Sequence, residues 1–62
     1  MQYRITYQPH DAELAETIIV GGIRAVYALI EYANTHGDII AQIDQRASRT
    51  RTWQPTNITQ ND

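Results

Sequence analysis

The first eight residues of the chain alternate between apolar and polar side chains. The apolar set is Met1, Tyr3, Ile5 and Tyr7, and polar residues occupy the positions between and after them. A period of two with aromatic and β-branched residues predicts a strand that has one face towards solvent.

A turn and a second strand are predicted next. Pro9 and Asp11 are turn-forming residues. The β-branched run within residues 16–20 stops at Gly21 and Gly22. We therefore expect a hairpin with a loose connection.

From Ile23 onwards the apolar period changes to three and four. The residues that share this spacing are Ile23, Val26, Tyr27, Ile30 and Ala33. Such residues lie on one stripe of a helix, and Gly37 stands where a glycine commonly ends one. The spacing predicts a helix over 23–36.

The segment after Gly37 has two interpretations. Its isoleucines favour a strand from Ile39 to Gln45, in which Ile40 faces away from the helix. Alternatively, Asp38 caps a second helix, and residues 23–48 form a helix-turn-helix. The strand is favoured, because polar residues stand at several positions where a helix-turn-helix has apolar ones.

The end of the chain is polar. After Ala47 the large apolar residues are Trp53 and Ile58, too few to offset the entropy lost on ordering. We expect a single domain over 1–46 and a flexible polar tail over 47–62. The fold class predicted is α+β: a small β-β-α-β domain whose three-stranded, mainly antiparallel sheet, of order 2-1-3, has one helix on one face.

The composition argues against an enzyme. The chain has no cysteine and no lysine, which excludes thiolate zinc sites, Schiff bases and a P-loop lysine. Ser48, the one serine, has no neighbouring base. His10 and His36 each have acids nearby, but without the spacing of a metal site. We predict no catalytic residue, no cofactor and no metal.

The sequence also predicts a cytoplasmic protein without a membrane segment. No apolar run approaches the roughly 20 residues that cross a bilayer, and the first residues lack the pattern of a signal peptide. The absence of cysteine fits a reducing compartment.

The chain has more apolar residues than one helix can cover. Ile19 and Ile40 are expected on the face away from the helix, with Leu29 and Tyr32 beside its buried stripe. Exposed apolar residues mark partner sites, and self-association can reinforce so short a chain. These four residues are our predicted interface, and the protein is predicted to be a non-enzymatic interaction protein, a homodimer that docks on a protein partner.

Four residues near the end support an alternative function. Arg46, Arg49 and Arg51 could neutralise phosphates, and Trp53 could stack on an unpaired base. The alternative is a nucleic-acid-binding regulator that uses this segment or the helix-turn-helix. In size and layout the chain resembles short accessory proteins of phages and other mobile elements, a resemblance that implies no residue roles.

Overall fold

The computed structural model describes residues 1–60, which form one α-helix and one four-stranded sheet. The elements are β1 (Gln2–Gln8), β2 (Glu16–Val20), α1 (Ile23–His36), β3 (Ile39–Arg46) and β4 (Gln54–Pro55). The sheet order is β2-β1-β3-β4, and all neighbouring pairs are antiparallel. The α+β class and the order of the first three strands are confirmed, and β4 is an additional strand.

The core lies between α1 and one face of the sheet. It combines the alternating residues of β1, three residues of the predicted stripe of α1 and one residue of β3: Tyr3, Ile5, Tyr7, Val26, Ile30, Ala33 and Ile43. The other two residues of that stripe, Ile23 and Tyr27, are exposed. α1 ends where Gly37 adopts the left-handed conformation, with φ of 74°, which glycine does without steric cost. Within residues 1–60, no helix has the length and apolar character needed to span a membrane.

Residues 39–46 form β3, so the strand interpretation is confirmed and the helix-turn-helix over 23–48 is wrong. β3 pairs along the whole of β1, from Gln2 opposite Arg46 to Gln8 opposite Ile39. β-branched isoleucines suit this pleated surface better than they suit a helix.

A β-bulge at Ala41 interrupts the alternation of β3. Thr6 pairs with Gln42, whereas the next residue of β1 pairs with Ile40, so Ala41 has no partner in β1. The bulge turns Ile40 towards the core, where it packs, and leaves Ile39 59% exposed. The expectation that Ile40 faces away from the helix is wrong, because one inserted residue reverses the faces of all residues beyond it.

The C-terminal segment, predicted as a tail over 47–62, runs along the outer edge of β3. β4 pairs with the end of β3, and Thr56 donates its backbone N–H to the carbonyl of Ile43 at 3.0 Å. Ile58 packs against the core. A strand of two residues has no period to detect, which is why the sequence predicts three strands and not four. Residues 61–62 of the predicted tail lie outside the described residues.

Candidate functional site

The outer edge of β3 is covered by the C-terminal segment. Beyond β4, the side chain of Gln60 accepts the N–H of Ile40 at 2.9 Å and donates to the carbonyl of Asp38 at 2.7 Å. Pro55, within β4, has no N–H to offer a further strand. This side of the sheet is therefore poorly suited to pairing with another chain.

β2 forms the opposite edge of the sheet and is open. Among residues 1–60 it pairs only with β1, without a bulge. Its sequence, Glu-Thr-Ile-Ile-Val, has no proline and no lysine, the residues that commonly protect an edge. Ile19, near its end, is 55% exposed. An edge of this kind is a template for an additional strand.

A cleft of about 360 Å³ lies beside β2 on the helix side of the sheet. Ile18 and Glu16 line it from the strand, and Leu29, Tyr32 and His36 line it from the flank of α1. The ring of Tyr32 stacks on that of His36, with 3.9 Å between their centroids. We refer to this space as the β2 cleft. It is suited to side chains of a polypeptide that pairs with β2.

A buried carboxylate fixes the loop at the end of the β2 cleft. Asp38 is 7% exposed and accepts hydrogen bonds from the backbone N–H of His10 at 2.8 Å and from the Nδ1 of the same residue at 2.6 Å. Its other oxygen accepts the hydroxyl of Tyr7. These contacts connect the end of β1 to the start of β3.

The same hydrogen bonds shift the pKa of all three groups. The bond from Tyr7, together with those from His10, lowers the pKa of Asp38 to about 2. The bond to Asp38 raises the pKa of His10 above its ordinary value. Burial, reinforced by the bond to Asp38, raises the pKa of Tyr7. At neutral pH the cluster therefore holds a charged carboxylate and a neutral phenol.

The cluster lacks the partners of a nucleophilic or metal site. Within the described part of the β2 cleft no serine, cysteine or lysine lines the wall. In residues 1–60 no three histidine or acidic side chains converge as ligands for a metal ion. The two histidines have separate roles, since His10 contacts Asp38 whereas His36 stacks on Tyr32.

The predicted interface residues divide into two groups. Ile19 is exposed in β2, and Leu29 and Tyr32 line the β2 cleft next to it. Ile40 packs against the core in β3 instead. The structure therefore brings Ile19, Leu29 and Tyr32 to the open edge and leaves Ile40 out.

The predicted nucleic-acid segment is partly gathered on the sheet face that α1 does not cover. The ring of Trp53 lies 4.6 Å from the guanidinium of Arg46 and 4.8 Å from that of Arg4. Arg49 and Arg51 are exposed in the connection between β3 and β4. Sequence reasoning missed Arg4, although the alternation of β1 had placed it on the polar face.

A second buried carboxylate organises this uncovered face. Asp44 is 3% exposed and accepts Nη2 of Arg4 at 3.0 Å and Nε2 of Gln42 at 2.7 Å. Arg4 is thereby held between Asp44 and Trp53. The face is a connected polar network and not a loosely solvated surface.

Most charged residues are segregated by sign to opposite ends of the strands. The strand register places the start of β1 beside the ends of β2 and β3, and α1 begins there. This arginine end carries Arg4, Arg24, Arg46, Arg49 and Arg51, and the carboxylate of Asp44 pairs there with Arg4. The opposite, acidic end carries Asp11, Glu13, Glu16 and Asp38.

The open β2 edge, the β2 cleft and the arginine end are the features suited to recognition. Comparison of the chain with protein-family models, curated proteins and solved structures finds no match.

Proposed function

We propose that this protein is a non-enzymatic interaction module that docks on another polypeptide by adding a strand to β2. The observation that carries the proposal is the contrast between the two edges. The C-terminal segment covers β3, whereas within residues 1–60 no strand pairs with the outer edge of β2 along its five residues. A polypeptide that pairs with β2 would satisfy its outer N–H and C=O groups and extend the sheet.

The β2 cleft supplies selectivity in this proposal. Side chains of an added strand alternate between the two faces of the sheet. Those on the helix side meet Ile18 and Tyr32 in the cleft, and those on the other side meet Ile19. Backbone pairing provides affinity, and the fit of alternate side chains provides discrimination.

The cluster around Asp38 has a structural role in this proposal. Its carboxylate is occupied by the hydroxyl of Tyr7 and two donors of His10. It fixes the start of the loop that leads to β2, and so helps to hold the edge in a rigid, extended form. In agreement with the absence of cysteine, we place this docking in the cytoplasm.

A displayed library of random peptides tests the proposal without a known partner. We expect selected peptides to bind at micromolar concentration and to slow amide exchange in β2. Ile19→Lys should weaken binding about tenfold, because lysine discourages pairing at an edge. Ile39→Lys is the matched control, since Ile39 is 59% exposed, close to the 55% of Ile19, but lies in β3. Peptides that leave β2 unprotected, or that respond equally to both variants, contradict the proposal.

A second candidate function is the binding of single-stranded nucleic acid at the arginine end. It is favoured by the position of Trp53 on the uncovered face, next to two guanidinium groups. Two observations weigh against it: the indole is already engaged by Arg4 and Arg46, and the net charge of the chain is −2. Salt separates the two functions, because phosphate contacts weaken steeply with ionic strength and strand addition does not.

A further inference from the structure

We infer that the polypeptide that fits the β2 edge is a second copy of this chain, paired antiparallel about a two-fold axis next to Ile18. The inference rests on the proposed strand addition and names its occupant. Two properties of the chain support it: the pattern of β2 is complementary to itself, and the charged ends of two copies are complementary to each other.

A two-fold axis perpendicular to the sheet sets the register of the two β2 strands. Ile18 faces Ile18 of the second copy, Thr17 faces Ile19 of the second copy, and Glu16 faces Val20 of the second copy. All five residues of β2 then pair, and no like charges are opposite each other. Opposed residues point to the same face, so both helices cover the same side of one continuous sheet.

The antiparallel arrangement brings the acidic end of each copy to the arginine end of the other. Glu16 is opposite Val20 of the second copy, and Arg24 of the second copy follows a few residues later at the start of its helix. Glu13 lies in the exposed loop before β2, on the same side of the contact. The two-fold symmetry repeats this pairing of opposite charges at the other end of the contact. Together the two pairings favour the antiparallel over the parallel orientation.

Apolar residues outside β2 also meet in this register. Leu14 is 81% exposed and precedes β2 by two residues. It reaches the level of Gly22 of the second copy, next to Ile23 of the second copy. Apart from Gly22 itself and its two chain neighbours, no atom lies within 4 Å of where a Cβ of Gly22 would be, and Ile23 is 37% exposed. The contact covers Leu14, one of the most exposed large apolar residues, on both copies.

The size of the contact sets its strength. A seam of five residues per strand, with Leu14 and Tyr32 beside it, falls below a standard interface of roughly 1,600 Å². We therefore expect a dimer that dissociates at micromolar concentration.

Sedimentation equilibrium tests the dimer. The mass should rise from 7.1 kDa at low concentration to twice that value at high concentration. Ile19→Lys should leave a monomer throughout, because each copy would place a lysine in the seam, one residue from its centre. Ile39→Lys should dimerise as the unaltered chain does. A dimer that both variants preserve overturns the inference.

Introduced cysteines test the register, because the chain has none of its own. Thr17 and Ile19 of the second copy would have Cβ atoms roughly 5 Å apart, close enough to form a disulfide with small movements. A mixture of the Thr17→Cys and Ile19→Cys proteins should therefore give mainly the mixed dimer on oxidation. Ile39→Cys, the control, should cross-link poorly. A mixture that links without this preference overturns the proposed register.

The outcomes separate this inference from the proposed function. A chain that stays monomeric at millimolar concentration, while selected peptides still bind β2, overturns the second copy as occupant and leaves strand addition standing. A monomer to which no peptide binds at β2 overturns both.

Discussion

The side chain of Gln60 hydrogen-bonds to the backbone of Ile40 as a neighbouring strand would, its Oε1 accepting the N–H of Ile40 at 2.9 Å. The Nε2 of the same amide donates to the carbonyl of Asp38 at 2.7 Å and to Oδ1 of Asn34 at 3.0 Å. One residue of a polar segment thus completes an edge of the sheet and connects it to the end of α1. The difference between this covered edge and the open β2 is the basis of the proposed function.

Replacing Gln60 tests how far the cover contributes to stability. We expect Gln60→Ala to lower the free energy of unfolding by about 1–2 kcal/mol, since it leaves the N–H of Ile40 without its partner. The exchange rate of the Ile40 amide should rise at the same time. Asn57→Ala, at an exposed position nearby, is the control and should change urea denaturation little. Equal effects of both substitutions would refute the role given to Gln60.

A pair of isoleucines tests the bulge in β3. Ile40 packs against the core, so Ile40→Ala should cost about 2 kcal/mol, the low end for an apolar residue that is only partly buried. Ile39 is 59% exposed, so Ile39→Ala should change the free energy of unfolding by no more than about 0.5 kcal/mol. Urea denaturation of both variants measures the difference. If Ile39→Ala lowered the free energy of unfolding more than Ile40→Ala did, β3 would alternate regularly and the bulge at Ala41 would be wrong.

The elements of this fold were predictable wherever a period extended over several residues. β1 and α1 each repeat their pattern often enough to define a face, the isoleucines of β3 favour a strand, and Gly37 marks the end of the helix. β4 and the bulge at Ala41 were not predictable. A two-residue strand has no period, and nothing in the local sequence distinguishes a bulged residue from its paired neighbours. Both depend on pairing with residues distant in sequence, which local propensity does not record.

The candidate site was predictable in part, for a similar reason. Leu29 and Tyr32 could be identified because they lie beside the buried stripe of the helix, and Ile19 because the β-branched run leaves it on the face away from the helix. The cluster of Tyr7, His10 and Asp38 could not be identified, since its members come from separate elements. The openness of β2 is a property of the whole sheet order, and only the fold reveals it.

The Asp38 cluster predicts a pH dependence of stability. The pKa of His10 is raised in the folded chain, so its contribution is fully present below the ordinary pKa of 6.5 and is lost as the pH rises through the raised pKa. The pKa of Asp38 is lowered from 3.8 to about 2, so its contribution is present above 3.8 and is lost as the pH falls towards 2. The cluster should stabilise the fold most between these two ordinary values.

Urea denaturation at pH values from below 3.8 to above 6.5 measures the effect. We expect the unaltered chain to lose stability as the pH rises above 6.5, and the His10→Gln variant to show a flatter profile. His36→Gln is the matched control, because His36 stacks on Tyr32 and has no hydrogen bond to Asp38. If the control flattens the profile as much as His10→Gln does, the assignment to His10 is wrong.

The arginine end gives the last prediction, which concerns nucleic acid. Arg49 and Arg51 are exposed and can be replaced by alanine without touching the contact between Trp53 and Arg46. If they bind phosphates of a single strand, the double variant should flatten the salt slope of binding by about 1.4, near 0.7 per lost contact. Trp53→Ala should cost a further ~1–3 kcal/mol on single strands and much less on duplexes, because only unpaired bases stack on an indole. Comparing single strands with duplexes also separates stacking from unfolding, since an unfolded variant loses the binding of both equally.

We expect fluorescence anisotropy to detect only weak binding that disappears near physiological salt, because the contacts are few and the net charge is −2. A sequence-selective complex that survives physiological salt would favour the nucleic-acid function over docking at β2.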